Sequence, residues 1–307
     1  MAAYFQDLFT RRANKRLTTS IKGLEVAAKI QAIVGEGPAW NAELGLLHSV
    51  DIRGEKVYTY NPTLGTLDHF STKSAPGAVL PTTASKLAIA LVDGIYLSDL
   101  DGRNLNNKFL VEAEIFGNRM NDAKCDPSGV LFAGTMGDKK SPTGSLYRIN
   151  SKQFEKVCTD ITVSNGLAWN PSGSKMYYID SPTRSVQVSD FDLSTSSIIG
   201  FKNFIEFPNS FGIPDGMCSD REGGIWVAFF GGHQIRRFSQ EGIQTHEIKL
   251  PVPLVTSCCF AGQDSTTLYI TTASIDLGDG RKIGSDEGNL FCIDVRIPGS
   301  GTTPFAL

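Results

Sequence analysis

Three stretches of the chain repeat one pattern. Residues 126–133 read DPSGVLFA, residues 170–178 read NPSGSKMYY and residues 220–228 read DREGGIWVA. In each, a polar four-residue turn with a glycine available for a positive φ angle leads into a strand-forming run. Long helical patterns are scarce after residue 30. Short strands and turns at this spacing predict an all-β sandwich, barrel or propeller.

Weaker copies bring the repeat to six. They lie at residues 41–45 (NAELG), 82–86 (TTASK) and 262–266 (GQDST). The copies are spaced roughly 41 to 50 residues apart, which suits the four-stranded blade of a propeller. We therefore predict a single six-bladed β-propeller over residues 29–307, preceded by an N-terminal extension of residues 1–28. The segment around residues 25–34 is the candidate for closing the ring against the last blade.

Polar residues recur in one register of the repeat. Counting back five residues from the turns gives the set Glu36, Asn121, Asn165, Asp215 and Ser257, whereas the second copy has only PGA at residues 76–78. The innermost strands of a propeller all run beside the central channel, so equivalent positions form a ring around one axis. We expect these five side chains to encircle that axis.

The ring is rich in oxygen donors, which favours a hard divalent cation. It contains no histidine or cysteine, which disfavours a dedicated zinc or copper site, although several divalent ions remain candidates. Each member by itself is more often an ordinary turn residue, and a purely structural ring of hydrogen bonds is the competing interpretation. The shared register is what favours the metal site.

Composition and charge are ordinary for a soluble globular protein. Hydrophobic residues make up 41% and charged residues 20%, and the net charge is -3. This balance argues against a nucleic-acid partner, and no apolar run is long enough to indicate a membrane span. Residues 1–20 lack a secretory core but are basic, so we expect a cytoplasmic protein, with mitochondrial targeting as the alternative. The six cysteines are expected to be free thiols.

Two common catalytic signatures are missing. The chain has no G-x-S-x-G elbow, which argues against a serine hydrolase of the α/β type. Residues 35–40 (GEGPAW) begin like a dinucleotide-binding loop but lack its final glycine and place a proline inside it. We therefore expect neither a serine nucleophile of the α/β-hydrolase type nor a dinucleotide-binding site.

Specific motifs resemble the regucalcin (senescence marker protein) and gluconolactonase family, which includes the firefly luciferin-regenerating enzyme. They are GEGP at residues 35–38, NRMNDAK at 118–124, FAGTM at 132–136, SNGLAW at 164–169, PDGMC at 214–218 and TSCCF at 256–260. The resemblance runs from about residue 29 to residue 297 and implies a six-bladed propeller. It also implies one divalent cation, usually calcium with zinc, manganese or magnesium as alternatives, and a sugar lactone as the small-molecule substrate.

The resemblance assigns roles to particular residues. It implies that Glu36, Asn165 and Asp215 bind the metal and that Arg119 and Asn121 contact the substrate. Asp215 is then the favoured base for activating water. Because a carboxylate bound to a cation has a lowered pKa, a hydroxide on the metal is the alternative base. For Arg119 the alternative is a structural bond to Asp122 or to a loop carbonyl.

The chain departs from the family pattern after Met136. Regucalcins carry an acidic substrate contact there, whereas residues 137–140 read GDKK, so Lys139 appears at the substrate-binding position with Asp138 beside it. The loop before residues 144–147 (GSLY) is also shorter. These changes bear on sugar specificity and leave the metal ligands intact.

The sequence thus predicts a metal-dependent lactonase of gluconolactonase type, in which the metal polarises the lactone carbonyl for attack by water. Three alternatives remain. One is a calcium-binding regulatory protein of regucalcin type without significant turnover. A second is a propeller that acts as an interaction scaffold and binds no metal. The third is an enzyme with a different substrate, as in luciferin regeneration.

Overall fold

The computed structural model describes residues 23–137, 141–278 and 280–307. These residues form 25 β-strands and two three-residue 3-10 turns, at Ser181–Thr183 and Asn209–Phe211. No α-helix occurs in these ranges, and none of their helical segments is long and apolar enough to cross a membrane. The prediction of an all-β fold is confirmed.

The strands form six antiparallel sheets, which are the six predicted blades. Blade 1 contains β2 (Gly35–Asn41), β3 (Leu46–Asp51), β4 (Lys56–Asn61) and β5 (Thr66–Ser71). Blade 2 contains β6 (Ala78–Pro81), β7 (Leu87–Leu91), β8 (Gly94–Ser98) and β9 (Asn106–Leu110). Blade 3 contains β10 (Arg119–Cys125), β11 (Leu131–Met136), β12 (Gly144–Ile149) and β13 (Phe154–Ile161).

The second half of the ring follows the same order. Blade 4 contains β14 (Ser164–Trp169), β15 (Lys175–Asp180), β16 (Ser185–Asp192) and β18 (Lys202–Glu206), with the short β17 (Ser197–Ile198) beside β16. Blade 5 contains β19 (Ile213–Ser219), β20 (Ile225–Phe230), β21 (Gln234–Phe238) and β22 (Gln244–Lys249). Blade 6 contains β23 (Val255–Ala261), β24 (Thr267–Thr272), β25 (Leu290–Asp294) and β1 (Glu25–Ala28).

Strand β1 closes the ring. It pairs antiparallel with β25, with Glu25 opposite Cys292, so blade 6 combines three strands near the C-terminus with one near the N-terminus. This pairing covers a sheet edge that would otherwise expose unpaired backbone groups. The predicted closure is therefore present. Residues 25–28 belong to the propeller rather than to the N-terminal extension in which the sequence analysis placed them.

The repeated turns are built from side-chain hydrogen bonds. Oδ1 of Asp126 accepts the backbone N–H groups of Ser128 and Val130 at 2.8 and 3.0 Å, and Gly129 has a φ angle of 90°. Asn170 accepts two backbone N–H groups in the same way. An Asp or Asn that caps its own turn makes the break between the two strands a local property of the sequence.

The inner strands of five blades are bulged near their first residues. The pairing register shifts between Glu36 and Ala39, Met120 and Asp122, Asn165 and Leu167, Pro214 and Met217, and Val255 and Ser257. Strand β6 of blade 2 pairs without a shift. A bulge changes the direction of a side chain, and bulges often lie next to functional sites. In this propeller the bulges of the inner strands determine which side chains face the axis.

Apolar residues pack between neighbouring blades. Six buried clusters are present among the described residues, one at each contact between successive blades. The cluster between blades 5 and 6 is centred on Trp226, Phe260 and Phe291. The adjacent Cys258 and Cys259 lie in different clusters, and all six cysteines are free, as predicted. The hydrophobic core therefore consists of the apolar interfaces between successive blades, arranged in a ring.

The last residues form a strap across the end of the propeller where the inner strands finish. Gly299 forms a bridge with Asp220 of blade 5, and Oγ1 of Thr302 accepts the N–H of Trp40 in blade 1 at 3.0 Å. The side chain of Phe305 is fully buried in the cluster between blades 2 and 3. The strap thus connects blades that are far apart in the sequence.

Candidate active site

The inner strands of the six blades begin at the other end of the propeller, where they surround a cavity of about 430 Å³. The cavity reaches solvent, because lining residues such as Arg53 and Ile213 are exposed. Its polar lining comes from five blades. These side chains are Glu36, Arg53, Arg119, Asn121, Asn165, Ser181, Arg184, Asp215 and Thr256.

Most of the predicted ring lines this cavity. Glu36, Asn121, Asn165 and Asp215 do so, each less than a tenth exposed, and Arg119 lies beside them. Lys139 and its neighbour Asp138 fall outside the described residues, so the prediction for that substrate contact stays a prediction.

Ser257 does not line the cavity, contrary to expectation. The bulge between Val255 and Ser257 turns Thr256 toward the cavity and packs Ser257 against Gly216. Oγ1 of Thr256 donates to the carbonyl of Gly35 at 2.6 Å, which ties blade 6 to blade 1. The prediction for Ser257 was wrong because one extra residue in a strand reverses the face that a side chain occupies.

Hydrogen bonds connect the ring from blade to blade. Nδ2 of Asn121 donates to Oδ1 of Asn165 at 2.9 Å and to the carbonyl of Ser164 at 2.7 Å. Nδ2 of Asn165 donates to Oγ of Ser181 at 2.8 Å, and that hydroxyl donates to the carbonyl of Pro214 at 2.7 Å. The amide nitrogens are thereby committed, so Oδ1 of Asn165 is held in one orientation.

Carboxylates are concentrated near the axis. Burial raises the pKa of Glu36 well above its usual value, and the nearby carboxylates of Asp215 and Asp122 raise it further. The N–H of Gly37, which donates to Oε2 of Glu36 at 2.8 Å, and the charge of Arg119 act in the opposite direction. Buried negative charges in such proximity repel each other and attract a cation.

Arg119 makes a structural hydrogen bond and also lines the cavity where substrate would bind. Its Nη1 donates to the carbonyl of Met120 at 2.9 Å, within the same strand rather than to Asp122 or a loop, and the side chain also lines the cavity. Burial lowers the pKa of Arg119 to about 10, while Glu36 raises it and Arg53 lowers it. The group is still protonated at neutral pH, with donors left for a ligand.

Aspartates at equivalent positions form a feature that the sequence analysis missed. Asp51 ends β3 and accepts the N–H groups of Ile33 and Val34 at 2.9 Å. Asp180 ends β15 and accepts the N–H of Val163 at 2.8 Å. Both hold the segment that leads into an inner strand. The sequence could have revealed this feature, because Asp51 and Asp180 occupy the same position in their repeats.

Other lining residues were missed for a different reason. Arg53, Ser181 and Arg184 lie in or beside the loop between the second and third strands of their blades, where the sequence carries no repeated signal. Arg184 has a φ of 55° and donates to the carbonyl of Gly212 at 2.5 Å. Only the fold brings these loops to the axis.

Glycine at position 166 allows blades 4 and 5 to approach each other. A Cβ at Gly166 would lie 2.7 Å from the carbonyl oxygen of Asp215 and 2.8 Å from the side chain of Ile179. Gly166→Ala is therefore expected to lower the free energy of unfolding by about 1–3 kcal/mol, through overpacking. Denaturant unfolding of the purified variant measures this. Gly284→Ala is the matched control, since its Cβ would meet only ordinary contact at 3.5 Å, and an equal loss in both variants would contradict the packing argument.

The donor set for a metal is limited. No group of three or more histidine, cysteine, aspartate or glutamate side chains that could hold a metal ion occurs within the described part of the chain. Two carboxylates, Glu36 and Asp215, line the cavity together with the amide of Asn165. A cation bound here would thus take mixed carboxylate and amide oxygens, a set that suits hard divalent ions.

Fold and cavity together define the class of this protein: a six-bladed β-propeller with an oxygen-lined cavity on its axis. The chain belongs to the SMP-30/gluconolactonase/LRE-like family, whose characteristic region matches residues 34–274. The family resemblance seen in the motifs is thereby confirmed.

Individual relatives cover nearly the whole chain. A Bacillus subtilis (strain 168) protein provisionally named sugar lactone lactonase YvrE is 34% identical, over 91% of this chain and 97% of its own. A solved luciferin-regenerating enzyme superposes with a TM-score of 0.87 at 31% identity, covering 93% of this chain and 99% of its own. The calcium-binding protein regucalcin from Agrobacterium tumefaciens superposes with a TM-score of 0.89 at 26% identity, covering 94% and 98%.

Proposed function

We propose that this protein is a divalent-metal-dependent hydrolase that opens a lactone. The observation that carries the proposal is the convergence of Glu36, Asn165 and Asp215 from three blades on one cavity. The family supports a lactonase-type activity, since its description includes gluconolactonase and one relative is provisionally named a sugar lactone lactonase.

The three residues fit a hard cation by their chemistry. Glu36 and Asp215 are buried carboxylates whose mutual repulsion a cation would relieve. Oδ1 of Asn165 accepts one hydrogen bond and keeps a second lone pair for a metal. Calcium is the first candidate, because it takes oxygen ligands in flexible geometry. Zinc, manganese and magnesium are the alternatives.

The protein's own groups would carry the reaction as follows. A bound divalent cation supplies Lewis acidity toward the lactone carbonyl. Asp215 accepts a proton from the water that attacks the carbonyl carbon, and the ring C–O bond breaks. That proton then passes to the leaving ring oxygen, so the product is the open hydroxy acid. Arg119 orients the substrate oxygens as a fixed donor, and Oδ1 of Asn121 can accept a hydrogen bond from the attacking water or from a substrate hydroxyl.

Metal removal tests the proposal. After chelation, hydrolysis of a panel of lactones is expected to fall to the uncatalysed rate, and one or more of calcium, zinc, manganese and magnesium should restore it. Initial rates of acid release, measured against buffer without protein, provide the readout. Full activity in the chelated protein would contradict metal dependence. Calcium binding without turnover of any lactone would favour the regulatory protein of regucalcin type.

A further inference from the structure

Apart from Arg53 and Arg184, the lining above the buried polar residues of the axial cavity is apolar. Above the polar floor the lining includes Val34, Ile52, Val163, Ile213, Phe230 and Ile275. They come from blades 1, 4, 5 and 6 and from the segments that lead into them. Ile213 is 44% exposed, although it lies at the rim of a binding cavity. Exposed apolar side chains concentrated around a cavity mark a surface that is covered by a ligand.

Four polar side chains on the floor already donate hydrogen bonds to protein acceptors, so Arg119 is the main hydrogen-bond donor that the floor offers a ligand. The hydroxyls of Ser181 and Thr256 donate to the carbonyls of Pro214 and Gly35. The amide nitrogens of Asn121 and Asn165 are likewise committed to protein acceptors. A polyhydroxylated lactone would bring several hydroxyls into this cavity, and each hydroxyl left without a partner costs free energy.

Two further exposed apolar residues lie close in sequence to residues of the lining. Ile33 precedes Val34 and is 42% exposed, and Leu277 follows Ile275 and is 48% exposed. Both belong to loops at the cavity end of the propeller. Exposed apolar surface is therefore present at this end of the propeller for a substituent that extends out of the cavity. Transfer of such a substituent from water is favourable in proportion to the area covered.

We propose that the substrate is a lactone carrying an apolar substituent, such as an alkyl chain, rather than a polyhydroxylated sugar lactone. The ring would lie on the polar floor and the substituent along the walls formed by Ile213, Phe230 and Ile275. This inference rests on the proposed lactonase function and specifies its substrate class. The polar floor supplies the reaction, and the apolar walls supply the selectivity.

Three δ-lactones with the same ring test the selectivity. δ-Decalactone carries an alkyl chain, δ-valerolactone carries none, and δ-gluconolactone carries hydroxyls. With the activating cation present, kcat/KM for δ-decalactone is expected to exceed both others by on the order of a hundredfold. Preference for δ-gluconolactone would overturn the substrate class while leaving the lactonase function standing.

Ile213→Asn tests the wall directly, because this side chain is exposed enough for the variant to fold. Its kcat/KM for δ-decalactone is expected to fall about tenfold, with little change for δ-valerolactone. Leu64→Asn is the matched control, since Leu64 is 71% exposed in the turn between β4 and β5 at the far end. An equal loss on both substrates, or a loss in the control, would count against a role for the wall in binding the chain.

A binding measurement separates the inference from the proposed activity. The lactam analogue of δ-decalactone has an amide in place of the ester and is not hydrolysed. Calorimetry on the wild-type protein is expected to give at least tenfold tighter binding than for the lactam analogue of δ-gluconolactone. If no lactone is turned over with any of the four cations, the proposed function fails, and this comparison still decides whether the cavity prefers an apolar ligand to a polyhydroxylated one. Equal or reversed affinities would overturn that preference.

Discussion

Asp215→Asn is expected to reduce lactone hydrolysis by about two to four orders of magnitude. The change preserves the size of the side chain and removes both its basicity and its negative charge. In the proposed mechanism Asp215 receives the proton of the attacking water and also contributes to holding the cation. Steady-state kcat and KM, measured with each candidate cation at saturation, should show the loss mainly in kcat.

Glu36→Gln separates the metal site from a structural ring of hydrogen bonds. A glutamine can still accept the N–H of Gly37, but the repulsion with Asp215 and Asp122 disappears. The metal-free variant is therefore expected to unfold at the same temperature as the metal-free wild type, or a higher one. Added calcium should raise the unfolding temperature of the wild type and have little effect on the variant.

The control for both variants is Asp68→Asn, an exposed carboxylate on the outer strand β5. It should change neither hydrolysis nor the response to calcium. Two results would count against the proposal. One is wild-type hydrolysis in both Asp215→Asn and Glu36→Gln. The other is a large loss of stability in metal-free Glu36→Gln, which the structural interpretation of the ring predicts.

Phe305→Ala is expected to lower the free energy of unfolding by about 3–5 kcal/mol. The ring is fully buried between blades 2 and 3, so its removal leaves a cavity at their interface. The backbone of Phe305 is also fixed, since its N–H donates to the carbonyl of Pro81 at 2.9 Å and its carbonyl accepts the N–H of Thr83 at 3.0 Å. Because the backbone is held in place, it cannot shift to fill the cavity that the truncated side chain leaves.

Chemical denaturation of the variant measures this loss. Leu307→Ala is the control, since that side chain is 38% exposed two residues further along, and its effect should stay below about 1 kcal/mol. Hydrolysis at a temperature where Phe305→Ala remains folded should be near the wild-type rate, because the strap and the axial cavity lie at opposite ends of the propeller. A loss below about 1 kcal/mol for Phe305→Ala would contradict the anchoring role of the strap.

The architecture could be predicted because its signals are local and repeated. Each Asp or Asn at the start of a turn, as at Asp126 and Asn170, accepts hydrogen bonds from its own neighbours. The break between two strands is therefore encoded within a few residues, and six such breaks at a regular spacing define the blades. The same spacing led to Glu36, Asn121, Asn165 and Asp215, which do line one cavity.

Long-range details could not be read in this way. Closure of the ring by the segment around residues 25–34 was predicted, but the register in which β1 pairs with β25 was not. The strap crosses to blades 1, 2 and 3, and no repeated pattern predicts those contacts. Arg53 and Arg184 reach the cavity from loops of two different blades. Contacts of this kind depend on the closure of the whole ring.

By itself, then, the sequence determined the number of blades, the turns between their strands and the register of most polar residues at the axis. These follow from hydrogen bonds and side-chain alternation within a few residues. Only the tertiary structure decided that Thr256 rather than Ser257 faces the cavity, and that apolar walls stand above the polar floor. The physical reason is that a bulge reverses the alternation of a strand, and that walls exist only where separate blades meet around a common axis.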